Sequence, residues 1–397
     1  MANSTGHVAD IAYIGFVLGH GGDALQMLDL ASGARAQGAR VRIIVPELES
    51  SLSFKARCDE LGIDCLRSSL ISVTADGIRQ HPLDVTRLLR SVKEPIVHFH
   101  TGNSCLPRTV MTSLVALRYR RSFVTLQSPY ETLEARSLRA RYWALTARWS
   151  LAAVVSPSEH GSRFQREMGV PDALVTTIHN SIDVDAIRSG DGAVAREQLG
   201  VGADVPLVVF TSRLDGQKRP LEAVEIFSAV AAEFPTARLV FVGRGDLHEA
   251  VVVAAEQRGL ADRVDMMGYQ TNIGDWLAAA TVWLLPTERE NFSVAVLEAM
   301  AAGCAVLSTT CRGNDEVLVD GVNSRTFAVG DVPAAQSGLR ELLADPDLRA
   351  RLGTAASQKA SEYAVSNMVD QYLRLYHRSP LLPPSLRRLG GAVPVTV

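Results

Sequence analysis

Cysteine is scarce in this chain. Five occur in 397 residues, Cys58, Cys65, Cys105, Cys304 and Cys311, and no two form a C-x-x-C pair. An odd, sparse set suits a reducing compartment, and the spacings Cys58–Cys65 and Cys304–Cys311 are too loose for a zinc knuckle. The thiols read as small hydrophobes. Net charge is nearly absent as well: 40 Lys and Arg stand against 43 Asp and Glu, a formal −3. Proteins that bind phosphate backbones concentrate positive charge, so nucleic acid is excluded as the main partner. No long hydrophobic run occurs. The most apolar stretch, 276–286, falls far short of the roughly 20 residues that cross a bilayer. The opening Met-Ala-Asn-Ser-Thr-Gly-His has neither the basic start nor the apolar centre of a signal peptide. The expectation is a cytoplasmic protein, soluble or at most peripheral at a membrane. Short-period repeats and a G-x-G-x-x-G turn are also missing, which excludes a solenoid and argues against dinucleotide-dependent hydride transfer.

What is present is ample material for cores: hydrophobic residues make up 47% and charged residues 21%. A 397-residue chain exceeds the roughly 250–300 residues at which one core stops growing, so two domains are expected. Short β-branched runs alternate with longer amphipathic segments, the pattern of an α/β fold with helices covering parallel sheets. In the first half strands are expected at 11–18, 41–45, 96–100, 123–126, 152–155 and 175–178, with a helix over 23–36 closed by Gly38. Across 181–206 glycines and polar residues punctuate the chain, which reads as an interdomain connection. The alternation resumes with strands at 207–210, 237–242, 264–266, 281–285 and 305–308, and helices at 220–233, 247–257 and 294–302. Two successive doubly wound units imply a cleft between them, with ligands at the carboxyl ends of the strands. A last amphipathic stretch at 368–376 precedes a tail containing Pro380, Pro383, Pro384, Gly390 and Gly391, which has little to bury.

The most informative stretch is 281–309: a buried strand, the turn holding Glu290, an alanine-rich helix holding Glu298, then Gly303 and another strand. A helix N-terminus presents free N–H groups and the positive end of a dipole, a site for an anion. Carboxylates would repel a phosphate there, but they suit the hydroxyls of a ribose or sugar beside it. Glu290 alone would read as a dipole partner and Glu298 as a solvated helical residue. Glu298, however, lies among Ala295, Leu297, Ala299, Met300 and Ala301, and an acid in that company needs a partner. A second loop after a strand carries Arg213, Lys218 and Arg219. Cations there suit a diphosphate, whose charge grows as its bond to a sugar breaks. By itself this loop would read as a solvated basic turn; the carboxylate pair that follows reverses that reading. All four side chains, Arg213, Lys218, Glu290 and Glu298, are expected to converge on one ligand. A third loop, with Gly19, His20, Gly21 and Gly22 after the first strand, lets backbone approach a ligand closely. Gly243 stands in the matching turn of the second unit.

Together these residues resemble the retaining family 4 glycosyltransferases of the GT-B fold. The family's Glu-x7-Glu motif is matched by Glu290 to Glu298, followed by Ala-Met-Ala-Ala-Gly. Its G-R-L-x-x-x-K loop is matched from Arg213 to Lys218, with Ser212 in place of the glycine. Gly21-Gly22 matches the N-terminal glycine pair, and Asn180 to Asp183 resembles the N-G-[VI]-D of the domain junction with Ser181 for glycine. Tyr363 and the helix after it resemble the segment that crosses back to the first domain. The resemblance implies two Rossmann-like domains facing each other across a cleft: 1–185, binding the acceptor; 186–363, binding the nucleotide-sugar donor. A helix at about 364–378 packs back on the first, and 379–397 forms a disordered tail.

By the same resemblance Arg213 and Lys218 hold the donor diphosphate, Glu298 the ribose, and Glu290 the hydroxyls of the transferred sugar. His100 matches the second His of the family's H-x-H and joins Arg213, Lys218 and Glu290 as a catalytic residue. Gly21, Gly22, Gly243, Tyr269, Asn291, Phe292, Ser293 and Val294 complete the donor site, and His20, Gln127 and Asn180 contact the sugar or acceptor. Gln127 stands where the family often has a His, and it can hydrogen-bond but cannot carry a proton at neutral pH. The implied function is a retaining, metal-independent transfer of a hexose from a UDP- or GDP-sugar, UDP favoured, with no cofactor. The acceptor is a hydroxyl of a small molecule, saccharide or lipid-linked compound. A non-catalytic nucleotide-sugar binder and a GT-B epimerase or hydrolase are the alternatives. Asp183-Val-Asp185 has the D-x-D form of a metal site but reads as linker chemistry. Arg118, Arg120, Arg121, Arg136, Arg139, Arg141 and Arg148, with Trp143 and Trp149, form a basic and aromatic region that could touch anionic lipid. The preferred reading is a solvated helix whose tryptophans face the core.

Overall fold

Parallel strands need long crossovers, and each half of the chain supplies helices of that length between its β-branched runs. The computed structural model describes residues 10–16, 22–71, 81–118, 122–127 and 137–378. They divide into two units, one holding residues up to Asn180 with the segment from Val365, the other Ser181–Ala364.

In the first unit seven strands form one parallel sheet: β1 Asp10–Phe16, β2 Arg40–Pro46, β3 Asp64–Ser68, β4 Ile96–Thr101, β5 Ser122–Leu126, β6 Leu151–Ser156 and β7 Val175–Thr177. Their order is β3-β2-β1-β4-β5-β6-β7, so the winding reverses between β1 and β4. Alternate residues of β1 serve two cores. Ile11 and Tyr13 pack under the helices Gly22–Ala36 and Val365–Arg378. Ala12, Ile14 and Phe16 pack with residues of the helices Arg108–Ala116 and Leu138–Ser150 on the other face. Helix Val365–Arg378 is keyed in by shape and by hydrogen bonds. A Cβ on Gly33 would lie 2.4 Å from Val369 Cγ2, the Tyr376 hydroxyl is 2.6 Å from His98 Nδ1, and the Tyr372 hydroxyl is 2.8 Å from Thr125 Oγ1.

The second unit repeats the plan with β8 Leu207–Thr211, β9 Arg238–Val242, β10 Val264–Gly268, β11 Val282–Leu285, β12 Val306–Thr309 and β13 Arg325–Phe327. The order is β10-β9-β8-β11-β12-β13, all parallel, with the reversal between β8 and β11. Val208 and Phe210 of β8 enter the larger core, Leu207 and Val209 a smaller one on the opposite face.

Three expectations need correction. Segment 181–206 is no bare connection: it holds the helices Val184–Arg188 and Gly192–Leu199, which pack against the helix Ile273–Ala279. Its glycines serve close packing, since a Cβ on Gly190 would lie 2.1 Å from the Gly274 carbonyl carbon and one on Gly192 2.9 Å from that of Ala278. The units part at 180/181 and 364/365, not at 185/186 and 363/364. Ile182 N–H donates to the Tyr363 carbonyl at 3.0 Å, and the Ile182 side chain lies in the second core. Finally, Trp143 faces the core and donates its indole N–H to Gln165 Oε1 at 2.8 Å, but Trp149 is 56% exposed. No described helix is long and apolar enough to cross a membrane.

Candidate functional site

Where strand order reverses in a parallel sheet, the loops leaving the two central strands diverge and leave room for a ligand. In the second unit those loops are 212–219, after β8, and 286–293, after β11. They are joined. Glu288 N–H donates to the Gln217 carbonyl at 2.8 Å, and Gln217 Nε2 returns a bond to the Arg289 carbonyl at 2.8 Å. Between these loops Lys218 Nζ lies 2.5 Å from Glu290 Oε1, with the two side chains only 10% and 8% exposed. The same Oε1 accepts from Thr287 Oγ1 at 2.9 Å. Thr309 Oγ1, at the end of β12, in turn donates to the Thr287 carbonyl at 2.6 Å. The carboxylate is thus set by neighbours on the loops after β8 and β11, with Thr287 itself fixed from the end of β12.

Local sequence explains how Lys218 comes to face inward. Asp215 closes the turn by accepting from Lys218 N–H at 3.1 Å. Arg219 then adopts a left-handed conformation, φ 52°, and Pro220 opens the helix Pro220–Val230. A non-glycine residue there costs on the order of 1 kcal/mol. Its guanidinium is held by Glu222, whose side chain is 7% exposed. Behind this turn backbone meets backbone. A Cβ on Gly243 would lie 1.8 Å from the Ser212 carbonyl oxygen, and one on Gly245 2.3 Å from that of Leu214. Gly243 N–H donates to Gly268 at 2.8 Å and Leu214 N–H to Arg244 at 2.9 Å. The loops after β8, β9 and β10 are therefore one packed layer.

Of the four side chains expected to converge, Lys218 and Glu290 are brought together. Arg213 is 64% exposed and pairs with Asp215 at 2.7 Å, while Glu298 is half-buried on the helix Val294–Ala301. Ser293 caps that helix, its Oγ accepting from Val296 N–H at 3.4 Å. Phe292 is buried with its ring 5.1 Å from that of Tyr363. Asn291 and Val294 are half-buried and Tyr269 is exposed. Asp183 of the D-x-D caps the helix Val184–Arg188, accepting from Ala186 N–H at 3.0 Å.

In the first unit His100 is the penultimate residue of β4, beside the reversal, paired in register with Gly15 of β1. It is 1% exposed, and among the described residues neither ring nitrogen has a hydrogen-bond partner. Burial pushes its pKa down to about 3. The ring lies 4.3 Å from that of His98. Burial, then the neighbouring His100, hold His98 well below the usual imidazole range. Gln127 is buried, its N–H bonded to the Thr101 carbonyl at 2.9 Å, and Asn180 is buried too. Gly22 begins the helix Gly22–Ala36. His20 and Gly21 lie outside the described residues.

Sequence reasoning missed three contributors. Thr287 lies just past the strand expected at 281–285 and carries no signal of its own, while His98, which bonds Tyr376 and Thr125, is the first His of the H-x-H and was given no role. Gly313 was passed over, though it sits at φ 88° and a Cβ there would come within 2.5 Å of the Asn291 carbonyl oxygen and 2.8 Å of that of Glu290. Cys311 lies near the pair; burial, then the charge of Glu290, push its thiol up to about 12, so it is neutral.

Two doubly wound units, the second with a buried ammonium–carboxylate pair at its strand reversal, define a protein of the GT-B class. The family model described as "Glycosyl transferases group 1" matches residues 193–359 and that described as "Glycosyltransferase Family 4" residues 20–186. The chain belongs to the group 1 glycosyltransferases. It is 27% identical over 212 residues to N-acetyl-alpha-D-glucosaminyl L-malate synthase of Bacillus anthracis, covering 53% of this chain and 55% of that protein. It is 28% identical over 228 residues to D-inositol 3-phosphate glycosyltransferase of Mycobacterium avium, covering 55% and 53%. The chain thus spans about half the length of the curated relatives it matches. Anabaena Alr3699/HepE, solved in complex with UDP, superposes with a TM-score of 0.78 at 17% identity over 92% of this chain and 98% of that one. At that identity the likeness concerns the fold.

Proposed function

We propose that the protein transfers a hexose from a nucleotide diphosphate sugar, a UDP-sugar in the first instance, to a hydroxyl group with retention at the anomeric carbon and without a metal. The observation that carries this reading is the Lys218–Glu290 pair, buried where the loops after β8 and β11 meet. Membership of the group 1 glycosyltransferases supports it, as do the structures of HepE with UDP and with UDP-glucose.

In this reading the donor's β-phosphate takes the Lys218 ammonium, joined by Arg213, and sugar hydroxyls donate to Glu290. Glu298 receives the ribose hydroxyls. As the bond from C1 to the phosphate oxygen breaks, negative charge grows on the diphosphate and the cations stabilise it. The departing oxygen takes the acceptor's proton while the acceptor oxygen bonds C1 on the same face. The protein positions charge rather than forming a covalent intermediate. The acceptor is a small molecule, a saccharide or a lipid-linked hydroxyl.

Thermal shift with UDP, GDP, ADP and their sugars tests the donor: a ligand at 100 times its Kd adds about 2.7 kcal/mol. Anomeric configuration of the product, read by NMR, tests retention. No response to any nucleotide defeats the reading. Nucleotide release that ignores every acceptor points to hydrolysis or epimerisation instead.

A further inference from the structure

The helix Leu138–Ser150 has two opposed faces, and they differ in kind. Ala140, Trp143, Ala144 and Ala147 recur at three- and four-residue spacing and are buried in the first unit's core. Leu138, Arg141, Leu145, Arg148 and Trp149 recur at the same spacing on the outside, with Leu138 81%, Leu145 57% and Trp149 56% exposed. A solvated helix face mixes charges of both signs, but this helix contains no Asp or Glu. Among the described residues no carboxylate forms an ion pair with Arg141 or Arg148. From 95 to 158 the sequence holds eight arginines and two acids, Glu131 and Glu134, in a chain whose net charge is −3. The neighbouring helix Arg108–Ala116 adds exposed Arg108 and Val115, and Thr112 Oγ1 ties it to the Tyr142 hydroxyl at 2.6 Å.

We propose that this face docks the protein on an anionic lipid bilayer. Large apolar side chains alternating with arginines along one helix fit the boundary between headgroups and acyl chains: the leucines and indole enter the apolar side while guanidinium groups meet lipid phosphate. A nucleic acid would use the arginines and leave the leucines in water. Binding rests on few side chains, so it is weak, reversible and salt-sensitive. It is independent of the donor site.

The full chain is co-sedimented with vesicles of phosphatidylglycerol and phosphatidylcholine, and with phosphatidylcholine alone, at low and high salt. Binding to the anionic vesicles at low salt and release at high salt are expected. Arg141→Gln/Arg148→Gln weakens binding about thirtyfold, from about 1 kcal/mol per arginine. Both positions are exposed, and a readout on the unmodified chain stands even if that variant fails to fold. The other three tryptophans, Trp143, Trp276 and Trp283, are buried to within 1%, so contact quenching by brominated acyl chains reads Trp149. Quenching that Trp149→Phe removes supports docking. Failure to pellet with anionic vesicles at low salt, unchanged pelleting of the double variant, or an unquenched Trp149 overturns it. So does capture by DNA in place of lipid.

Discussion

Removing the Lys218 ammonium tests whether the buried pair is one unit. In the native protein Nζ is 2.5 Å from Glu290 Oε1 and both side chains are about nine-tenths buried. Lys218→Ala leaves a carboxylate whose other bond at Oε1 comes from the neutral hydroxyl of Thr287. Breaking a buried ion pair by deleting one partner costs roughly 3–5 kcal/mol, and the residual solvent access here places the expected loss near the lower end, about 3 kcal/mol. Lys218→Met/Glu290→Gln removes both charges and fills similar volume, so the double variant is expected to lose only about 1 kcal/mol. The double-mutant cycle, completed with Glu290→Gln, then yields a coupling of about 2 kcal/mol or more. Because a two-unit chain need not unfold in one step, hydrogen exchange at the amides of β8 and β11 is the assay, since it reports the second unit directly. A double variant as unstable as the sum of the singles, with coupling within about 0.5 kcal/mol of zero, would refute the reasoning.

Three further outcomes are expected. In steady-state assays of UDP release with acceptor, Lys218→Ala should lower kcat by about 10²–10³, the cost of one preorganised charge donor; near-normal turnover would remove its assigned role. His100 is held neutral by burial with a pKa of about 3, so unfolding binds a proton below the unfolded value of about 6.5. Its stabilisation is complete above pH 6.5 and falls by about 1.4 kcal/mol per unit as pH drops towards 3. Urea midpoints across that window should be flatter for His100→Gln than for the native chain. Gly313→Ala places a methyl against the carbonyls of Asn291 and Glu290 at a left-handed φ, and should cost about 1–3 kcal/mol. It should weaken donor binding too, visible as a reduced thermal shift with UDP-glucose.

Much of the fold is legible because buried parallel strands read as apolar runs on both faces, as in Leu207–Thr211 and Val282–Leu285. The strands that escaped notice, Asp64–Ser68 and Arg325–Phe327, are the sheet edges on one side of each unit, short and partly polar. Edge strands have one neighbour and less apolar signal. Glycines at 190 and 192 misled because a glycine that permits close packing looks the same in sequence as one that frees a linker. Lys218 and Glu290 were legible as a pair because each follows a strong strand. Their direct contact was not legible, since it depends on strand order: β8 and β11 are adjacent only after the chain has wound out through β9 and β10 and returned. The roles of Thr287, Gly313 and His98 depend on that same long-range packing.

Titration calorimetry with UDP and UDP-glucose on the native chain, Lys218→Ala and Glu290→Gln separates the two halves of the pair. Lys218→Ala should lose affinity for both ligands alike, while Glu290→Gln should bind UDP as the native chain does and lose only the added affinity conferred by glucose. Unchanged binding of both ligands by both variants would contradict the assignment of this pair to a sugar diphosphate.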